Sequence, residues 1–420
     1  MSRKRLKNAM QNAALALLTL SALFLITRLS LLQNIRLSDQ VQTLFPAGGG
    51  QEGGELPAGM VSSLHLMVTG GSGEYGRCGR LCAGAEDTLL QLFQEALGSA
   101  GPAGPVTDGA FQKALDGPGI YLEFSGGPLP LEIVAAWLGE ETDFSQTVRA
   151  MALTAGEEEA ALYLLDESGR VSLYGTSLPG SAVREKCEGF APNGACFAYE
   201  SDYRALSPYT VLTVDSALPP DIQGERPAGY SAYNLLTALD FNAHTLSRYR
   251  ESGGAEVVEE SPRSLRISPD GVVSFINRGE GAPALYQAAG QGLHEILAAA
   301  WRLASALTEG TGASPLYLCG AEVGENGCTL LFRYQVEGVP VFFSGEEDAL
   351  TITFQEGNIT AFTYRCRVYT ALEEDTAELP GPLPAAMAQA IAAGYPGSRL
   401  MMGYVDDGSG QVAAQWLRED

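Results

Sequence analysis

Bases and histidines are scarce in this chain. Lysine and arginine number 26 against 50 acidic residues, a formal net charge of -24. Gripping a phosphate backbone needs a basic face, so nucleic-acid binding is excluded as its task. The three histidines, His65, His244 and His294, are far apart in sequence. His294-Glu295 also lacks the second histidine of a helical zinc-binding pair. Hydrophobic residues make up 45% of the 420 and charged residues 18%, which excludes wholesale disorder and allows sizeable cores. Long uncharged apolar runs are scarce too. There is one.

That run is Asn8 to Thr27, with a core from Ala13 to Ile26 of mostly Ala, Leu, Phe and Ile. At ~1.5 Å per residue, a helix of this length crosses a hydrocarbon layer of ~30 Å. Residues 1–36 hold six bases (Arg3, Lys4, Arg5, Lys7, Arg28, Arg36) and no acid; the rest therefore carries 20 bases against 50 acids. Bases before the span and an acidic bulk after it place the N-terminus in the cytoplasm and the bulk outside. A cleaved signal peptide is the rival reading, but no small-x-small cleavage site follows Ile26. The expected anchor therefore crosses the membrane once. Among its small or hydroxylated residues (Ala14, Thr19, Ser21, Ala22, Thr27), Ala14, Ser21 and Ala22 fall close to one face. They are the candidate helix–helix contact.

Beyond the anchor the pattern predicts an α+β fold, with antiparallel sheet carrying helices on one face. Residues 1–36 form stub and anchor, 37–60 a Gly-rich tether, 61–225 a first module and 226–420 a second, with a candidate further break near 283. Helices are expected from Asp87, from Pro130, over Leu293–Leu307, and near Ala385–Ala393. The helical stripe is Leu293, Ile296, Leu297, Ala300, Trp301, Ala304 and Leu307. Three hairpins are expected between. One turns at Pro269-Asp270-Gly271, with Gly271 left-handed, Ile267 opposite Val273 and Leu265 opposite Phe275. Another turns at Glu356-Gly357-Asn358, where a three-residue loop sets Ile352 opposite Phe362 and Leu350 opposite Tyr364. The third joins Tyr163–Leu165 to Val171–Leu173. At the tail, strands at Arg399–Val405 and Gln411–Leu417 flank an acidic, Gly-rich turn.

Motifs for chemistry are wanting. Gly70-Gly71-Ser72-Gly73-Glu74 misses the nucleophile elbow at its last position, and Gly290-Gln291-Gly292 is no dinucleotide fingerprint. The acidic runs Glu157–Glu159, Glu346–Asp348 and Glu373–Asp375 lack the alternating ligand spacing of a calcium loop and read as solvated turns. No cofactor or metal is expected. On the outer side of a membrane cysteines invite disulfides. Cys187 and Cys196, flanking Pro192-Asn193-Gly194, are the candidate pair. A Cys319–Cys328 bridge is disfavoured, because a hairpin centred between them sets Cys328 opposite Val323. Cys366 reads as a buried thiol.

Leu235-Leu236-Thr237-Ala238-Leu239-Asp240-Phe241-Asn242, then Tyr249-Arg250-Glu251, then Leu265-Arg266-Ile267-Ser268-Pro269-Asp270-Gly271 together resemble the YycH family. Gly119–Phe124 and Pro128-Leu129-Pro130 leading to Ala136-Trp137-Leu138 fit it more loosely. Tyr334, Gly338-Val339-Pro340-Val341 and the Glu356–Ile359 hairpin are similar to YycI and PepSY-like modules. The resemblance implies a non-enzymatic, membrane-anchored regulator of the Yyc (Wal) two-component system of Gram-positive bacteria. Its implied partners are the sensor histidine kinase governing cell-wall turnover, held down partly through helix contacts in the membrane, and a YycI-like co-regulator. Two further readings stand beside it. One is a PepSY-type inhibitor or stabiliser of a secreted hydrolase; the other is an extracytoplasmic ligand-binding module.

Overall fold

The computed structural model describes residues 56–419 except 62–63, 71–76, 83–86, 125, 143, 201–207, 213–218, 228–231, 243, 280–285, 325–326, 346–347, 373–398 and 409. The anchor, its Ala14–Ser21–Ala22 face, the tether up to residue 55, the Glu373–Asp375 run and the expected helix near Ala385 lie outside these residues. Among the described residues no helix is long and apolar enough to cross a membrane. The protein is α+β, with mostly antiparallel sheets.

After a single turn of 3₁₀ helix at Ala58–Met60, the first lobe runs β1 (Leu64–Thr69), β2 (Arg77–Cys82), α1 (Asp87–Gly98), β3 (Ala103–Pro105), α2 (Asp108–Leu115) and β4 (Gly119–Phe124). It continues through β5 (Leu129–Pro130), α3 (Leu131–Trp137), β6 (Thr147–Val148), β7 (Ala150–Ala155), β8 (Glu159–Leu165), β9 (Val171–Pro179) and α4 (Gly180–Cys187). Seven of these strands form one sheet in the order β2-β1-β4-β7-β8-β9-β3. Every residue of β4 is buried. A continuous apolar run such as Ile120–Leu122 calls for cover on both faces. One face packs Met67, Tyr121, Ala152 and Tyr163 against Phe111 and Leu115 of α2, and against Phe197 and Val211. These last two belong to the short pair β10 (Cys196–Phe197) and β11 (Val211–Leu212). Helices α1 and α4 lie against β4, β7, β8 and β9 to cover the other face. The expectation of helices on one face therefore fails in this lobe, because its central strands are apolar on both sides.

The second lobe begins at β12 (Ile222–Glu225), inside the range expected for the first module. It then runs α5 (Ala232–Ala238), β13 (Ser247–Arg250), β14 (Glu256–Glu260), β15 (Arg263–Ile267), β16 (Val272–Asn277), α6 (Leu293–Thr311), β17 (Leu316–Val323), β18 (Gly327–Val336), β19 (Val339–Phe343), β20 (Leu350–Gln355) and β21 (Asn358–Arg365). The last strands are β22 (Val368–Ala371), β23 (Arg399–Asp406), β24 (Gln411–Val412) and β25 (Ala414–Glu419). An 11-stranded sheet contains β13 to β21 together with β23 and β25. Strand β16 pairs with β21, so chain from both sides of residue 283 shares one sheet. The tail hairpin splits: Ala414–Glu419 pairs with β23, whereas β24 pairs with β12 in a separate small sheet with β22.

Here helices do cover one face. Leu265, Ile267, Val273 and Phe275 are buried together with Leu350, Ile352, Phe362, Tyr364 and Cys366, and Phe275 stacks on Phe362 at 5.1 Å. Helix α6 buries Ile296, Leu297, Ala300, Leu303, Ala304 and Leu307, and ends on Gly312 at φ 73°, a left-handed cap that favours glycine. Trp301, placed on the expected stripe, is half-buried, and Leu303 takes the core position. On the opposite face of the sheet Ser274, Thr363, Thr351 and Thr353 are half-buried.

The Pro269–Gly271 hairpin keeps the register read, with Ile267 opposite Val273, and Tyr163–Leu165 pairs with Val171–Leu173 as expected, Tyr163 lying opposite Leu173. The Glu356–Asn358 hairpin keeps its register by a different device. Gln355 pairs with Asn358, so the loop has two residues, Glu356 and Gly357, with φ of 50° and 75°. Both are left-handed, the type I′ turn whose twist suits a two-residue hairpin. A bulge at Thr360 then supplies the extra residue, and Ile352 faces Phe362 as expected.

Candidate functional site

The lobes meet where α3 packs on α6 and β5 on β17. The Nδ1–H of His294, in the first turn of α6, donates to the carbonyl oxygen of Ala136 near the end of α3 at 2.9 Å. A carbonyl can only accept, so the ring's hydrogen sits on Nδ1. The Nη1 group of Arg333 donates to the Gly126 carbonyl at 3.2 Å while its Nε donates to Asp348 at 2.7 Å. His294 is thus a fastener between lobes.

Beside this junction lies an open cleft of about 660 Å³ between α1, the end of α3 and the start of α6. Leu56, Leu90, Trp137 and Leu138 supply apolar wall, and the Trp137 indole N–H donates to the Pro57 carbonyl at 3.3 Å. Glu132, Glu140, Glu141 and Glu295 supply carboxylates, and among the described residues no lysine or arginine lines the cleft. Glu295 folds back over Gly292, at the N-terminus of α6, where the helix dipole favours a negative charge. Glu140 sits at the opposite kind of end. A methyl group built on Gly98 would lie 2.8 Å from its Oε2, so its carboxylate rests on the C-terminus of α1.

Two buried polar centres lie elsewhere. In the first lobe Glu123, 5% exposed, holds Arg149 Nη2 at 3.4 Å on one oxygen and His65 Nδ1 at 3.4 Å on the other. Burial raises the Glu123 carboxyl, but His65 and Arg149 outweigh it and leave it below its ordinary value. In the second lobe Asp406, 2% exposed, accepts from Tyr369 Oη at 2.7 Å, Arg367 Nε at 3.2 Å and the Gly408 backbone N–H at 2.7 Å. Both centres tie strands together. Glu123 was visible in the sequence as a lone charge in an apolar run; Asp406 carried no such signal, because it ends its strand in what reads as a turn.

Cys78, Cys187, Cys196, Cys319, Cys328 and Cys366 are free thiols. The expected Cys187–Cys196 bridge is not formed, and both residues are free. Cys187 is buried at the end of α4 near the Gly119 backbone, and burial pushes its thiol up to about 12. The Asn193 N–H donates to the Arg77 carbonyl at 3.0 Å, tying the intervening turn to β2 and carrying Cys196 into β10. Cys328 faces Val323 as expected, Cys319 sits at an irregularity of β17, and burial raises both thiols to about 12. Cys366 is buried as expected. Thiols raised this far are poor nucleophiles at neutral pH. Among the described residues no three His, Cys, Asp or Glu side chains gather as metal ligands. Comparison with family models, curated proteins and solved structures finds no match.

Proposed function

We propose that the protein is a membrane-anchored extracytoplasmic regulator that works by protein contact, holding a sensor histidine kinase of a two-component system controlling cell-wall metabolism. The carrying observation is the charge layout: a basic stub, one uncharged 20-residue apolar stretch from Asn8 to Thr27, and an acidic body. The YycH-like block from Leu235 to Gly271 directs the reading to that kinase class and to a YycI-like co-regulator. It belongs to α5, the β13 edge and the β15–β16 hairpin. The anchor face of Ala14, Ser21 and Ala22 is the proposed contact with a kinase helix, because helices in lipid associate through close packing rather than apolarity.

In intact cells Lys4 and Lys7 should resist a non-permeant amine reagent, and acids beyond residue 37 should be accessible from outside. Labelling of Lys4 or Lys7, or release of a chain lacking residues 1–32, would remove the anchor. Ala14→Leu with Ser21→Leu should disturb kinase output without affecting insertion, whereas Leu17→Ile with Phe24→Leu should do little. Full function on an unrelated anchor would move the contact to the acidic body, as in an inhibitor or stabiliser of a secreted hydrolase.

A further inference from the structure

We propose that the cleft between α1, α3 and α6 is the seat of a lysine- or arginine-bearing apolar segment of a partner polypeptide. The proposal rests on the reading that this chain works by protein contact. The cleft's volume of about 660 Å³ falls in the range that encloses a ligand or several side chains. Its apolar wall, from Leu90 to Trp137 and Leu138, removes hydrocarbon from water. Its charge has one sign. Among the described residues Glu132, Glu140 and Glu141 have no ion-pair partner.

The backbone adds to that field at one point. Helix α1 has no base in its last turn, and its negative C-terminal end carries the Glu140 carboxylate. A carboxylate at a helix C-terminus is destabilising, and a cation there relieves both charges. The four carboxylates are spread around the cleft rather than gathered as metal ligands. That spread fits cations spaced along an apolar segment rather than one divalent ion.

The test uses the full chain in a neutral maltoside detergent, titrated with a fluorescein-labelled peptide of alternating leucine and arginine. Saturable binding should weaken as salt rises. Glu140→Gln with Glu141→Gln should weaken it by about tenfold at unchanged melting temperature. Glu157→Gln with Glu158→Gln, an equal charge loss on an exposed turn, should leave it unchanged. Equal loss in both double variants would show attraction to the acidic body as a whole and overturn the proposal. Equal binding of a control peptide in which glutamate replaces every arginine would overturn it, as would full competition by spermidine at matched charge, which would make the cleft a polyamine site. Because no kinase is present, failure here leaves the regulator reading to its own cellular tests.

Discussion

Single side chains decide more here as buried charges than as reactive groups. Glu123 has its carboxyl held below the ordinary value, so the unfolded chain takes up its proton at higher pH than the folded one. Its contribution to stability is therefore present above the ordinary carboxylate range and is lost as pH falls through the folded value. In Glu123→Gln the stability at pH 7 should fall by about 3 kcal/mol, with a shallower loss toward acid; a melting series from pH 7 to pH 3 checks both. An acid limb unchanged by the substitution would show that other carboxylates govern acid unfolding. Asp406→Asn should cost a similar ~3 kcal/mol, since it weakens the hold on Arg367 and on the Tyr369 hydroxyl. Denaturant titration reads this directly, and Arg367→Met in the Asp406→Asn background should cost much less than it does alone.

At the scale of elements the Glu356–Gly357 hairpin is the most sensitive point. Gly357 has a φ of 75°, and a methyl group built there would lie 2.9 Å from the Gly290 carbonyl oxygen. Gly357→Ala should therefore destabilise by about 2 kcal/mol, with backbone strain and a close contact acting together. Glu356→Asn should raise stability by about 0.5 kcal/mol, because asparagine tolerates the left-handed region better. Thr360 is the extra residue of the bulge, so deleting it should leave Ile352 opposite Phe362 and the fold intact. Deleting Thr363 instead shifts Tyr364 to the open face and should abolish folding. Circular dichroism and melting of the two deletions separate the cases.

Across residues 56–419 the lobes are tied at several independent places. A parallel bridge joins Val61 to Leu318, β5 lies on β17, α3 packs on α6, and Arg333 and His294 bond across. Calorimetry should accordingly show one transition for this body, with calorimetric and van't Hoff enthalpies in agreement. Two resolved transitions would mean that the lobes unfold independently. The raised thiols add a chemical expectation: Cys187, Cys319 and Cys328 should resist alkylation in the native protein and react only after unfolding.

Local pattern by itself determined the α+β class, the α1 and α6 helices, and which residues of the second sheet face the core. Side-chain period is a property of the chain: alternation over Leu265–Ile267 and Val273–Phe275 names a buried face before any partner strand is known. Turn chemistry at Gly271 was legible for the same reason. Tertiary structure decided what depends on distant chain. The Thr360 bulge lets a two-residue turn keep the register, whereas pattern alone pointed to a longer loop. The Asn193–Arg77 bond draws Cys196 away from Cys187, although their spacing suited a bridge. Cover on both faces of β4, the merging of strands around residue 283 into one sheet, and the acid-lined cleft all arise from segments far apart in sequence. No local period records where α1, α3 and α6 will converge, because that is set by how the two cores pack.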